Sequence, residues 1–270
     1  MKAKIIIWSI VSAIVVLTAI LFLGVFRLNE QNIVRVGEVS ATDEQIVNAS
    51  TLKNGDYIFM LDKDKATASI EKQIPNIKVV QIKTISVKTI EIVVRERSKA
   101  FYKAVNNNYY LMDEELKVLD ISTNIEDIAG LIKIEETENS KILSIDEHTM
   151  IADFVGGDNA EIFYDLYISL YRTASKVVDG EIIYLTKQEI NNLIYSVEMQ
   201  NGDTLQESYK RLIINTNAGV TFDISKAETG LLEKINKCMT AYSSGNYDTT
   251  KGVIKIFYHA DGTEDFDYFE

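Results

Sequence analysis

The sequence predicts an α+β fold carried behind one N-terminal transmembrane helix, and three observations predict it. Residues 5–26, IIIWSIVSAIVVLTAILFLGVF, contain no charged side chain. At ~1.5 Å rise per residue they are long enough to cross a bilayer core of ~30 Å as a helix. Residues 28–97 then show apolar spacings of two and of four, in the order strand, helix, helix, strand, strand. From residue 98 onward, short β-branched runs between Asn, Asp and Gly turns outnumber helical stripes. That pattern reads as a mainly antiparallel β domain with flanking helices.

The apolar run is too long for a secretory h-region, which takes roughly 7–15 residues and ends at a small-x-small cleavage site. Here Ala13 and Ala19 lie inside the run, and the exit is Gly24-Val25-Phe26-Arg27. It is therefore read as an uncleaved anchor. Lys2 and Lys4 sit in the stub of residues 1–4, against Arg27 alone just beyond the helix. This bias puts the N-terminus in the cytoplasm and the long arm outside, a single-pass cell-membrane topology.

Charge and cysteine usage exclude several classes. The 270 residues carry a formal net charge of −12, which argues against nucleic acid and against an anionic lipid surface as the partner. One cysteine, Cys238, cannot build an intrachain disulfide framework, so the arm must be held by apolar cores. With one proline and no Gly/Ser-rich tract, no flexible linker stands out.

The elements follow in order. Residues 33–37, Ile-Val-Arg-Val-Gly, read as a short strand ending in a turn. Thr42 with Gln45 three residues on forms a capping box for a helix whose buried side is Ile46 and Val47. Asp62 caps a second helix with Ala66, Ile70 and Ile74 on one stripe, terminated by Pro75. Residues 77–85 and 87–97 are strands, and Ile90, Ile92 and Val94 of the latter share a face. Residues 101–105 and 109–112 flank an Asn106-Asn107-Asn108 hairpin turn, since Asn tolerates positive φ. Met112-Asp113-Glu114-Glu115 is a second turn, before Val118-Leu119. Residues 131–134 and 142–145 are further strand candidates. Asp158 is the expected cap of a helix with Phe163, Leu166, Tyr167, Leu170, Tyr171 and Ala174 on one face. Residues 181–185, 193–199, 211–214 and 220–224 are strands, with a hairpin turn at Asn201-Gly202. Ser225 and Glu228 suggest a capping box for a helix presenting Leu231, Leu232, Ile235, Cys238 and Met239. Residues 253–258 are the final expected strand, and residues 261–270 an acidic tail.

These residues resemble the bacterial division proteins of the FtsQ/DivIB family, with a POTRA domain behind a single membrane helix. The entry strand Val34-Arg35-Val36-Gly37 is similar to the family's "V-x-V-x-G", one residue tighter. The helix start Thr42-Asp43-Glu44-Gln45-Ile46 and the turn Gly55-Asp56-Tyr57-Ile58-Phe59-Met60-Leu61-Asp62 resemble the family's pattern. So do the approach Ile74-Pro75-Asn76-Ile77-Lys78-Val79-Val80, the strand from Thr89 to Glu96-Arg97, and the hairpin Tyr109-Tyr110-Leu111-Met112-Asp113. Two positions depart from it. Lys83-Thr84-Ile85-Ser86 replaces an Arg-x-x-Pro-like turn, and Ser98 stands where proline often follows Glu-Arg. The likeness runs to about Asp120, is architectural to about Gly180, and recovers from Glu181. It implies a stub (1–4), a transmembrane helix (5–26), a POTRA domain (28–97), a β domain (98–260) and the tail (261–270).

No constellation of catalytic groups stands out. Cys238 falls on the apolar face of its helix and reads as a buried structural thiol rather than a nucleophile. His148 and His259 are isolated. Asp113-Glu114-Glu115 and Asp261, Glu264, Asp265 and Asp267 read as solvated turns and tail rather than a spaced calcium loop. Asn48-Ala49-Ser50 fits a glycosylation triplet but falls in an expected helix. No catalytic, metal or cofactor residue is assigned, and no small-molecule substrate. The positive signal is the stretch Gly252, Val253, Ile254, Lys255, Ile256, Phe257 and Tyr258, rich in β-branched and aromatic residues. A last strand can offer a sheet edge to a partner strand, or it can be an ordinary internal strand. The resemblance implies the former, with partners like FtsB/DivIC and FtsL. It further implies a non-enzymatic divisome scaffold at the septum, anchored in the lipid bilayer by residues 5–26. The alternative is a membrane-anchored extracytoplasmic cell-wall enzyme of unrecognised fold.

Overall fold

A computed structural model describes residues 8, 11–18, 24–136, 142–178, 181–201, 209–244, 246, 248–259 and 263–269. The expected membrane helix, 5–26, lies partly outside them. Within it, residues 8, 11–18, 24 and 25 are helical. Among the described residues no helix is long and apolar enough to cross a membrane. The chain divides into two units, residues 1–97 and 98–270.

In the first unit β1 (Glu30–Val36) is followed by α1 (Asp43–Ser50), a single 3₁₀ turn (Ile58–Met60) and α2 (Lys63–Gln73). β2 (Ile77–Thr84) and β3 (Thr89–Glu96) complete it. The sheet order is β1-β3-β2, with β1 parallel and β2 antiparallel to the central β3. The capping box is present: Thr42 Oγ1 accepts from the Gln45 amide and Gln45 Oε1 from the Thr42 amide. Asp62 accepts from the Lys65 amide at 2.9 Å. These caps satisfy amides that a short helix leaves without intrahelical partners. Ile46, Ile70, Ile90, Ile92 and Val94 are fully buried, so both helices lie on one face of the sheet.

The second unit begins with β4 (Phe101–Val105), β5 (Asn108–Met112), β6 (Val118–Ser122) and β7 (Ile132–Glu135). Asn106 and Asn107 take φ of 50° and 66°, the left-handed pair of a tight hairpin. α3 (Ala160–Ile168) continues as a π-helical turn, Ser169–Thr173. β8 (Ser175–Val178) and β9 (Glu181–Tyr184) form a separate two-stranded ribbon. Then come α4 (Lys187–Leu193), β10 (Ile194–Asn201), β11 (Lys210–Thr216), β12 (Thr221–Ile224), α5 (Leu231–Ser243), β13 (Val253–Tyr258) and β14 (Glu264–Phe269). One mixed sheet runs β14-β13-β12-β11-β10-β7-β4-β5-β6. Its β4–β7, β7–β10 and β12–β13 pairs are parallel, and the others are antiparallel. Parallel neighbours need a crossover. α5 supplies it between β12 and β13. The core joins Phe101, Phe163, Leu166, Leu212, Phe222, Ile235, Ile254 and Ile256, with the Phe101 and Phe163 rings edge-on at 5.4 Å.

The structure departs from the sequence reading at several elements. Residues 142–145 form no strand. Asp158 lies in a 3₁₀ turn, Gly157–Asn159, that leads into α3 without a side-chain cap. The expected Ser225/Glu228 box does not form. α5 starts after Gly230 at φ 60°, and Glu228 accepts from the Lys210 amide at 3.1 Å instead. Leu232 is 43% exposed rather than core. α4 has a capping box, Thr186 with Glu189, that the sequence reading passed over. The Asn201-Gly202 turn falls at Gly202 outside the described residues. Residues 264–269, expected as acidic tail, are β14.

Candidate functional site

Residues 253–258 form a strand, but not the last one. β13 lies between β12 and β14, so the edge offered at this end of the sheet is β14. The acidic composition of residues 261–270 concealed a period-two pattern. Phe266 and Tyr268 alternate with Asp265 and Asp267, and only the aromatic set is partly buried. The register pairs Ile254 with Tyr268, Ile256 with Phe266, and Lys255 with Asp267. Within β13 the expected facing holds. Ile254 and Ile256 are buried beneath α5, while Val253, Lys255 and Phe257 lie on the other face.

That other face carries a row of alternating charge. Arg211 of β11 holds Asp223 of β12 through two contacts, at 2.5 and 2.6 Å. Lys255 approaches Asp223 at 3.7 Å and sits opposite Asp267. Asp223 is 3% exposed, so its charge is compensated from two neighbouring strands.

The main chain of β14 follows from one bond. The His259 amide donates to Thr263 O at 2.9 Å, which sets the narrow pair of the ladder. Alternation then turns the backbone groups of Asp265, Asp267 and Phe269 toward β13, and those of Glu264, Phe266 and Tyr268 outward. The outward amides of Phe266 and Tyr268 each donate to the preceding aspartate carboxylate at 2.8 Å. Two aspartates thus blunt the edge. Gly252 opens β13 at φ 101°. A Cβ there would lie 2.6 Å from Tyr268 Oη and 2.7 Å from Phe269 O, so only glycine fits.

Where β13, β14 and α5 meet, a polar cluster forms. Tyr258 donates to Glu264 at 2.7 Å, and Lys237 bridges Glu264 (2.6 Å) and Glu233 (3.1 Å). Donation from Lys237 holds the Glu264 carboxyl below its ordinary range. Burial, with the Glu264 hydrogen bond, pushes the Tyr258 hydroxyl up to about 12. Beside the cluster, between α5 and β14, runs a groove of about 580 Å³ lined by Asn236, Lys237, Thr240, Ser244 and Phe266. Among the described residues, Asn236 Oδ1 is buried without a hydrogen-bond partner.

The remaining candidates fall to structural roles. Cys238 is fully buried, and burial pushes its thiol up to about 12, far from a reactive thiolate. His148 is exposed beside Glu147, and His259 contacts Asp265 at 3.0 Å. Asp113 is not a solvated turn residue. It is fully buried and accepts from the Glu115 and Lys117 amides, both at 2.9 Å. Ser50 of the glycosylation triplet is buried and donates to Val47 O. Among the described residues no group of three His, Cys, Asp or Glu is placed to hold a metal.

The first unit matches the POTRA domain, FtsQ-type, over residues 31–97. Cell division protein DivIB of Clostridium acetobutylicum is 32% identical over 130 residues, covering 47% of this chain and 51% of that protein. The chain thus carries an FtsQ-type POTRA domain and is similar to proteins named cell division protein DivIB. DivIB of Clostridium botulinum strain Hall is 26% identical over 217 residues, covering 76% of this chain and 77% of that protein. DivIB of Lactococcus lactis is 32% identical over 78 residues, or 28% of this chain and 20% of that protein. The alignment thus spans about half the length of the acetobutylicum DivIB (51%) and more of the botulinum one (77%). At the end of this POTRA domain the Glu96-Arg97 pair is structural. Glu96 accepts from the Ser40 amide and hydroxyl and from Asn76, and Arg97 is 5% exposed.

Proposed function

We propose that this protein is a non-enzymatic scaffold of bacterial cell division at the septum, anchored in the cell membrane by residues 5–26 with its arm outside. The relatives named cell division protein DivIB support the division role. The partners by this reading are FtsB/DivIC- and FtsL-like proteins. Anchoring confines them to two dimensions and raises their effective concentration.

The observation that carries the partner-binding reading is the β14 edge. It is aromatic-rich, its outward Phe266 and Tyr268 amides are engaged by the adjacent carboxylates of the same strand, and a groove lined by α5 and Phe266 lies beside it. The opposite edge, β6, already pairs through Val118 with residues 152 and 153. A partner segment would add as a strand outside β14. The stretch Gly252 to Tyr258 would then back it, with Val253, Lys255 and Phe257 contributing side chains on the open face.

The topology decides which variant is informative. In β13 the backbone of Lys255 faces β14, so proline there breaks the sheet itself. Glu264 turns its amide outward. Glu264→Pro removes that donor, and Glu264→Ala removes the same side chain while keeping it. Co-purification from membranes should lose the FtsB/DivIC- and FtsL-like proteins with Glu264→Pro and retain most with Glu264→Ala. Equal recovery from both folded variants would sink strand addition.

A further inference from the structure

We infer that the turn at residues 57–61 sits in the headgroup layer of the bilayer and seats the POTRA unit on the membrane through Phe59 and Met60. The inference rests on the reading of residues 5–26 as a membrane anchor, and three observations lead from one to the other.

The first is exposure. Ile58 is 3% exposed and fastens the turn to the core, while Phe59 and Met60 are 67% and 82% exposed. Two adjacent large apolar side chains held out by a buried neighbour gain by leaving water for an apolar layer.

The second is position. Phe26 is the last residue of the apolar run, and its ring lies 5.0 Å from that of Phe59. The chain just beyond the run is stitched to the turn. The Ile58 amide donates to Phe26 O (3.0 Å), the Leu28 amide to Asp56 O (2.8 Å), and the Gly55 amide to Leu28 O (2.7 Å). Arg27 donates to Gly55 O and to Tyr57 Oη, and its guanidinium lies 4.8 Å from the Tyr57 ring centroid. Phe59 therefore cannot sit far from the level at which the apolar run ends.

The third is the span. Trp8 and Phe26 are 18 residues apart in the sequence, ~27 Å along a helix, close to the hydrocarbon thickness. Aromatic residues concentrate at the two interfaces. With Trp8 at one, Phe26, Tyr57 and Phe59 fall at the other.

In sequence the turn is flanked by Lys53, Lys63 and Lys65 against Asp56, Asp62 and Asp64, and Arg27 beside Tyr57 leaves a single positive charge in excess. The contact is thus interfacial insertion, not recognition of anionic lipid, and agrees with the acidic composition of the arm.

The test uses the full chain with Cys238→Ala, reconstituted in two vesicle types. One is phosphatidylethanolamine with phosphatidylglycerol, and the other phosphatidylcholine alone. A single cysteine carrying an environment-sensitive dye is placed by Met60→Cys, Val15→Cys or Leu232→Cys. The label at 60 should shift to the blue relative to 232. It should be quenched more by a nitroxide near the headgroup than by one at the acyl terminus, in both vesicle types. A label at 15 buried in lipid with one at 60 in water overturns the inference and leaves the anchor standing. A label at 15 in water overturns the anchor. In that case the contact stands only if the label at 60 still reports lipid, and falls if it does not. Lipid contact at 60 only in the anionic vesicles overturns the insertion mechanism.

Discussion

Arg97 donates to Glu71 Oε2 at 2.8 Å while its Nε donates to Ile77 O, and the other Glu71 oxygen accepts from the Val79 amide. The guanidinium side chain is 1% exposed. This pair ties the end of the POTRA unit to α2 and to the start of β2. Removing one partner strands the other charge in a poorly solvated site. Arg97→Ala should lower the stability of the first unit by about 3 kcal/mol, read from chemical denaturation. A loss no larger than that of a surface arginine would show the pair to be dispensable.

Ile92 is fully buried in the central strand β3. An aspartate there has no partner and costs several kcal/mol. Ile92→Asp should abolish slow amide exchange across residues 28–97 and leave it intact in β10, β11 and β13. Collapse of protection in both regions would mean that the two units fold as one.

The Lys237–Glu264 bridge predicts an acid limb. The Glu264 pKa is lowered from 4.5 in the folded chain, so its contribution is present above that value and is lost as pH falls through the lowered one. The groups are partly exposed, so the effect is under about 1 kcal/mol. Glu264→Gln should lower thermal stability at neutral pH and converge with wild type in acid. A constant difference across the titration would exclude this origin.

Gly252 can carry no side chain without displacing Tyr268 or the main chain of Phe269. Gly252→Ala should cost about 1–3 kcal/mol and loosen β14 from β13 first. Amide exchange should accelerate at Phe257 and Asp267 before it does in β11.

Asp265 and Asp267 engage the outward amides of Phe266 and Tyr268. Replacing both by alanine should free those amides, raising partner affinity and self-association together. Sedimentation and pull-down on the double variant read this. Unchanged behaviour in both would show that the carboxylates do not guard the edge.

Elements whose signals are local were legible from the residues alone. The Thr42–Gln45 box, the Asp62 cap, Pro75 after α2 and the Ile90-Ile92-Val94 face are each set by residues within a few positions of one another. The POTRA resemblance follows from the same local signals. The Asn106-Asn107 turn is legible for the same reason, since its left-handed φ values restrict residue type directly. The facing of Ile254 and Ile256 against Lys255 was also legible, because a lysine in a strand orients its whole set.

Tertiary structure alone decided which strand is the edge. Residues 264–269 read as a solvated tail because four of the acids in 261–270 lie among them or just before, and composition outweighed the alternation of Phe266 and Tyr268. They form a strand because β13 offers an open ladder, and because Tyr268 reaches the carbonyls of Asp248 and Lys251 across a gap that Gly252 leaves. The displaced start of α5 has the same origin. There a side chain that satisfies a local motif on paper is claimed by main chain remote in sequence. Those long-range contacts, which no spacing rule encodes, place the candidate site.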